Sequence, residues 1–428
     1  MLDIRFIREN RAAIELGAKH KNIRLDLEKL LSLDQELRTK QTELEKFQAD
    51  RNRISKEIAS ADPATRERLK AEVSAIKGKM EQLEPSVSAM KEALRQEMLL
   101  VPNPARADVP VGKDDSENVE VKKWGTPRTF NFKPLDHAEL GRLQGILDTE
   151  RGVKIAGSRS YILRGDLALL EHAVLRFTVD KLAAKGYTPM SIPVLVKEDC
   201  MTGTGYFPTG REQAFYIEKD ELALVGTAEV SLTSYYWKEI LKESDLPFRS
   251  FAQSGCFRRE AGTYGKDTSG LYRVHQFQKV EQVIIAPADA ALSEQLHSEL
   301  VRNAEEILEA FELPYRVVYV CTGDLGQGQI RKHDIETWMP SRNNYAETHS
   351  CSTFHDFQAR RLEIRYKNKN GDMQTCYTLN NTAIASPRIL IPLLENHQNE
   401  DGTINVPKAL QPYIAGRTIL GAPVRNKG

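Results

Sequence analysis

The chain has 428 residues, enough for two or three domains and at least one large core, and its 60 Lys plus Arg are balanced by 60 Asp plus Glu. That balance excludes a global field drawing in a polyanion, so any nucleic-acid contact must rest on a local patch. The five cysteines, Cys200, Cys256, Cys321, Cys351 and Cys376, have neither CxxC nor paired-His spacing, which argues against a zinc ribbon or a disulfide framework and for a reducing compartment.

The N-terminal MLDIRFIREN lacks the apolar core of a signal peptide. No window approaches the run of about 18 apolar residues that a membrane span needs, so a soluble, cytoplasmic protein with no membrane partner is expected. Next comes a helical hairpin, at about 27–101. In its second half Leu69, Val73, Ile76, Met80, Leu83, Val87, Met90 and Leu94 alternate steps of four and three, the seam of a coiled coil. The first half, at about 27–61, shows the weaker companion Leu30, Leu37, Leu44, Phe47, Ile54 and Ile58. Between them lies ADPATRE, with Asp62-Pro63 as a turn and Thr65 as the expected N-cap. Two antiparallel helices of about 50 Å follow from 1.5 Å per residue, too long for a compact domain. Pro85 conflicts with this pattern, since an interior proline removes a backbone hydrogen bond and normally kinks a helix. Basic residues outnumber acidic ones eight to four between Arg51 and Lys79, around the turn. That suits phosphate contact, although a dimerisation rod with a solvated surface has the same composition.

A Pro/Asp/Asn-rich stretch near 101–120 marks a boundary, dividing the chain into 1–118 and 119–428. Beyond it, helices are predicted at about 136–151, 166–185, 288–311 and 384–398. Strands are predicted at about 187–196, 214–224, 248–259, 271–286, 314–321, 346–366 and 374–380. Strands arriving largely in succession predict an α+β domain, an antiparallel sheet with flanking helices. No GxxxxGK[ST] loop or strand-GxGxxG-helix unit argues for a βαβ nucleotide fold. No histidine pair has metal-site spacing, so His275 and the other histidines read as structural or surface residues.

Three segments carry a resemblance. Phe257-Arg258-Arg259-Glu260, a glycine-rich loop containing Lys266, and a second strand through Phe277 to Glu281 resemble motif 2 of the class II aminoacyl-tRNA synthetases. The helix ending at Lys185-Gly186-Tyr187 and leading to Pro193 resembles motif 1, the dimer-interface element, and Arg388 before ILIPLLENHQ resembles the motif 3 arginine. Within that class GTAE at 226–229, GLYRVHQFQKVE at 270–281, CSTFHDFQARR at 351–361, TLNNT at 378–382 and the N-terminal hairpin are most similar to the bacterial-type seryl-tRNA synthetases, over essentially the whole chain.

The resemblance implies an ATP-dependent serine–tRNA ligase acting as a homodimer. Its coiled-coil arm, within a tRNA-binding domain at 1–118, would bind tRNA(Ser), with tRNA(Sec) left open as a second acceptor, and 119–428 would be catalytic. Joining a carboxylate to the α-phosphorus of ATP requires positioning and charge neutralisation more than a general base. By resemblance, Arg258 bridges the α-phosphate and carboxylate, Arg388 holds the γ-phosphate, Glu260 reads the adenine amino group, Phe277 stacks on the ring and Val274 lies along the nucleotide. Arg259, Thr348 and His349 complete the implied ATP-binding set. Glu347 and Ser350 would coordinate Mg2+, which favours oxygen ligands. Thr227, Ala228 and Glu229 match the part that meets the serine ammonium, while Glu281 and Thr382 match the part that meets its hydroxyl. Taken singly, an Arg–Glu pair is ordinarily a surface ion pair and Phe277 a core residue; their joint occurrence in family order outweighs that.

Three departures affect pocket shape. Glu347-Thr348-His349-Ser350 stands for a Glu-x-Ser-Ser run, Asn380-Asn381-Thr382 for Asn-Gly-Ser, and Ala385-Ser386-Pro387 replaces a glycine-bearing segment. The competing function is a non-catalytic tRNA-binding or regulatory paralogue. Ligation of an amino acid to a carrier protein is disfavoured by the long arm.

Overall fold

In the computed structural model, residues 1–262 and 270–423 are described; the lysine-containing part of the expected motif 2 loop, at 263–269, lies outside them. The chain divides into two compact units, one of Met1–Lys19 with Ile23–Pro102, the other of His20–Asn22 with Asn103 to the C-terminus.

In the first unit, α1 (Ile4–Glu9) and α2 (Arg11–His20) precede the long helices α3 (Leu27–Ile58) and α4 (Pro63–Leu100). Their 32 and 38 residues correspond to about 48 and 57 Å. Leu44 shares an apolar cluster with Met80 and Val87, while Leu27 and Leu30 share another with Met98 and Val101, so the two helices pack with their sequence order reversed. Helix α4 is capped by Asp62, whose Oδ1 accepts from the Ala64 and Thr65 amides at 3.0 and 3.2 Å, and not by Thr65 as expected. Pro63 at the first helical position explains the shift, because its fixed φ and missing N–H suit that position. Pro85 does not end α4. It lies on the exposed side, as does Glu81 one turn earlier, so the carbonyl deprived of a donor faces water.

The second unit is built on an eight-stranded sheet of β1 (Val119–Trp124), β2 (Thr188–Pro189), β3 (Phe248–Phe257), β4 (Gln276–Ala286), β5 (Tyr315–Tyr319), β6 (Arg331–Met339), β7 (Asn344–His355) and β8 (Tyr377–Ser386). The order is β1-β5-β6-β7-β8-β4-β3-β2, antiparallel except for the short parallel pair β2/β3. The α+β expectation therefore holds. Strand β4 shows how the sheet separates core from site. Alternate residues point to opposite faces, and Val280, Ile284 and Ala286 enter the main core with helices Asp166–Ala184 and Ala290–Ala310. On the opposite parity, Val283 and Ile285 enter a second apolar cluster, whereas Phe277, Lys279 and Glu281 line a cavity.

Several boundaries differ from expectation. The helix at 136–151 is two helices, His137–Leu143 and Thr149–Ala156, separated at Gly145 with φ +66° and restarted by an Asp148 cap. Residues 384–386 extend β8, and the helix there is Leu390–His397. The segment at 346–366 contains β7, a short helix Phe357–Arg361 and a separate strand Arg365–Lys367. Strands β1 and β6 were not expected. β1 is exposed along its whole length and lies at the sheet edge, where no apolar alternation is imposed.

Candidate active site

A cavity of about 230 Å3 opens over the central strands, lined by polar side chains from β4, β6, β7 and β8 and by the segments that follow β3 and β8. Glu229, Arg258, Glu260, Val274, Phe277, Glu281, Glu347, Thr348, His349, Ser350, Thr382 and Arg388 all line it. Residues from 229 to 388 thus converge because strands distant in sequence are neighbours: Glu281 faces Thr382 across β4/β8, and Cys351 faces Asn381 across β7/β8.

One end is cationic. Arg258 donates from Nε to the Gly226 carbonyl at 3.2 Å and lies 5.3 Å from the Phe277 ring, an arrangement that fixes the guanidinium while leaving its terminal nitrogens for an anion. Arg388 donates to the carbonyls of Tyr272 and Glu347 at 3.2 and 3.3 Å, stacks on Tyr272 at 4.5 Å and approaches Glu347 Oε2 at 3.6 Å. Burial opposes charge on Glu347, but Arg388, Lys332, Arg258 and Arg273 outweigh it and hold the carboxyl below the ordinary range. The side chain remains 45% exposed, so a charged carboxylate is presented to the opening. Asp334 behind it is pushed up to about 6 by burial, despite Lys332 at 2.9 Å.

Glu260 has a left-handed φ of +52°, a costly conformation for a non-glycine, and its Oε2 accepts from Arg273 at 3.0 Å. The loop returns at Gly270, whose φ is +80° and where a Cβ would lie 2.4 Å from His137 Nε2. His137 Nε2 receives the Leu271 amide at 3.2 Å, and its Nδ1 is 2.9 Å from Glu395, so only glycine fits this anchor.

The other end is a buried acidic pocket. Glu229 accepts from Tyr206 at 2.8 Å and Gln358 at 2.7 Å, and its pKa is raised by burial and by the nearby Glu281. Thr382 Oγ1 reaches Glu281 Oε2 at 3.4 Å. Lys279, itself 5% exposed, pairs with the same oxygen and donates to Thr227 Oγ1 at 2.6 Å.

Not every expected residue faces this cavity. Ala228 is fully buried in the apolar cluster with Leu232 and Ala252, and Thr227 meets the pocket through Lys279. Arg259 borders a separate cavity of about 720 Å3, 6.0 Å from the Phe215 ring. His349 does line the cavity but is buried, with Nδ1 2.8 Å from Thr348 Oγ1, and is held neutral by a pKa lowered to about 4 through burial. Sequence reasoning missed Lys279, Tyr206, Gln358, Lys332 and Asp334. Lys279 had a readable signal, being two residues before Glu281 on the same face of a strand.

Comparison with known proteins bears on this arrangement. Residues 214–397 match the tRNA synthetase class II core domain (G, H, P, S and T), and residues 1–105 match the seryl-tRNA synthetase N-terminal domain. A serine–tRNA ligase of Deinococcus radiodurans is 47% identical over 425 residues, covering 99% of this chain and 100% of the relative. One from Rubrobacter xylanophilus is 43% identical, with 100% of both chains covered. Among solved structures, seryl-tRNA synthetase from Pyrococcus horikoshii complexed with ATP aligns with a TM-score of 0.90 at 36% identity, covering 98% of this chain and 99% of the other. Cytoplasmic serine–tRNA ligase from Naegleria fowleri in complex with AMP gives a TM-score of 0.87 at 30% identity, with 98% and 99% covered. With both of its domain models matched and relatives aligned end to end, the chain belongs to the seryl-tRNA synthetase family.

Proposed function

We propose that the chain is a serine–tRNA ligase, which activates serine with ATP to seryl-adenylate and transfers the seryl group to tRNA(Ser). The carrying observation is the polarity of one cavity: Arg258 and Arg388 at one end suit a polyphosphate, and buried Glu229, Glu281 and Thr382 at the other suit a small hydroxylated ammonium. Serine's carboxylate then meets the α-phosphate near Arg258. In-line attack expels pyrophosphate, and the two arginines offset charge on the phosphate oxygens without a protein base.

Phe277 and Glu260 form the adenine end of this reading. Mg2+ fits the donor set, because Glu347 and Ser350 offer oxygen ligands and, among the described residues, no hydrogen bond reaches Oδ1 of the adjacent buried Asp334. Held there by Glu347 and Ser350, the ion would neutralise charge on the phosphate. Glu347 is kept ionised for that task by the surrounding cations. The match to the family's N-terminal domain supports tRNA(Ser) binding by the α3/α4 hairpin. The motif 1 resemblance supports a homodimer, and the absence of a membrane-crossing helix among the described residues accords with action in the cytoplasm.

The test is ATP-dependent attachment of labelled serine to a tRNA(Ser) transcript, with a tRNA(Sec) transcript alongside. Charging of tRNA(Ser) is expected. Binding of that tRNA with no charging at any ATP and Mg2+ concentration would favour the regulatory paralogue.

A further inference from the structure

The buried end of the cavity contains a cation that the activation chemistry does not call for. Lys279 is 5% exposed, and its ammonium is placed between Thr227 Oγ1 and Glu281 Oε2. Thr382 Oγ1 approaches the same Glu281 oxygen at 3.4 Å. Both neighbours of Glu281 therefore converge on Oε2, and among the described residues no hydrogen bond reaches Oε1. A carboxylate held by one oxygen from two directions has little freedom to rotate, and its second oxygen is left in a fixed direction.

We infer that Lys279 is a specificity-determining residue of the amino-acid pocket: with Thr382 it locks Oε2 of Glu281, so that Oε1 is presented as the acceptor for the substrate side-chain hydroxyl. This rests on the serine-activation reading. The contact with Thr227 gives the lysine a second function. Glu229 and Glu281 are two buried carboxyl groups in one pocket, and Lys279 is paired with the second of them. Glu229 is left for the substrate ammonium, a group that a neutral alcohol or a dicarboxylic acid does not supply.

Selectivity follows from the fixed oxygen. Alanine enters with its ammonium paired but leaves Oε1 buried without a donor, which is the strong form of discrimination against a missing hydroxyl. If the lysine is removed, Glu281 can turn toward remaining donors, and the empty hydroxyl position no longer carries the full penalty. The competing role for Lys279 is a direct bond to the substrate carboxylate. That bond is common to all amino acids and would not alter their ratio.

The experiment measures amino-acid-dependent ATP–pyrophosphate exchange with serine and alanine for the wild type, Lys279→Met and Lys279→Arg, together with ATP affinity. A wild type that exchanges with no amino acid would refute the serine-activation reading itself, before any variant is considered. Given wild-type activity, Lys279→Met is expected to lower the serine-to-alanine ratio of kcat/KM roughly 10- to 100-fold, the scale of a hydrogen bond to a charged acceptor. ATP affinity should stay within about threefold, and Lys279→Arg should restore part of the ratio. An unchanged ratio, with serine and alanine reduced equally, overturns the inference in favour of the carboxylate role. If Lys279→Met no longer binds ATP and is misfolded, Lys279→Leu carries the same test: it too has no donor for Oε2, so a retained wild-type ratio there also overturns the inference.

Discussion

Replacing Arg388 by alanine separates its two roles, holding the wall of the site and stabilising charge during reaction. In the resting protein the side chain bonds the Tyr272 and Glu347 carbonyls, stacks on Tyr272 and is 23% exposed. Because the ion pair with Glu347 spans 3.6 Å and Glu347 is 45% exposed, solvent screening leaves that pair little net value. Loss of the carbonyl contacts and the stack should cost roughly 1–2 kcal/mol of stability. Loss of a donor aimed at developing phosphate charge costs about 2.7–4 kcal/mol in the barrier, or a rate reduction of about 10²–10³. The assay is serine-dependent pyrophosphate exchange well below the unfolding temperature, paired with a thermal melt. Arg388→Lys should recover stability more than rate, since an ammonium cannot reproduce the guanidinium's separated Nε and Nη1 donors. Exchange within about fivefold of wild type in a folded Arg388→Ala protein would refute the assigned role.

Three further outcomes are expected. Gly270→Ala should destabilise the protein by about 1 kcal/mol or more, measured by melting temperature, and raise the KM for ATP, because φ is +80° and the added Cβ meets His137 at 2.4 Å; unchanged values would remove the anchor argument. Glu229 has a pKa raised by burial and by Glu281, and a bound ammonium favours its ionised form, so the KM for serine should fall as pH rises through that raised value and then level; a flat profile, or one that Glu229→Gln does not flatten, contradicts this. A chain beginning at Asn103 keeps the contacts of Asn103 with the Gly328 and Phe354 carbonyls, and should fold and form adenylate but fail to charge tRNA; tRNA charging at the full-length rate would exclude a role for the helical hairpin.

How far the sequence could be read depended on what each segment had to satisfy. The α3/α4 hairpin was legible because one repeating stripe determines its packing, and Leu44, Met80 and Val87 are buried as the register requires. Strand β6 was hard to read because its core-facing side mixes polar His333 and Thr337 with apolar Ile335 and Met339, while its other side serves the site. Lys332 lines the cavity and Asp334 pairs with it, while His333 Nδ1 is 2.8 Å from His297 Nε2. A core face interrupted by polar residues gives only a weak period-two apolar signal. Lys279 had one readable signal, its place two residues before Glu281 on the same face of β4, but its contact with Thr227 depends on tertiary packing that the sequence does not show. Arg258, Glu281, Glu347 and Arg388 were found through ordered motifs, whereas Tyr206 and Gln358, which hold Glu229, lie in segments whose chemistry depends on tertiary contact.

The most direct measurement is amino-acid selectivity of pyrophosphate exchange by the full-length wild-type protein, with serine, threonine, alanine and glycine at equal concentrations. Serine should support exchange far above the other three: alanine and glycine leave the Glu281 acceptor unpaired, and threonine adds a methyl to a pocket already closed by Thr382 and Lys279. Comparable exchange with alanine, or exchange with none of the four, would contradict a serine-activating site.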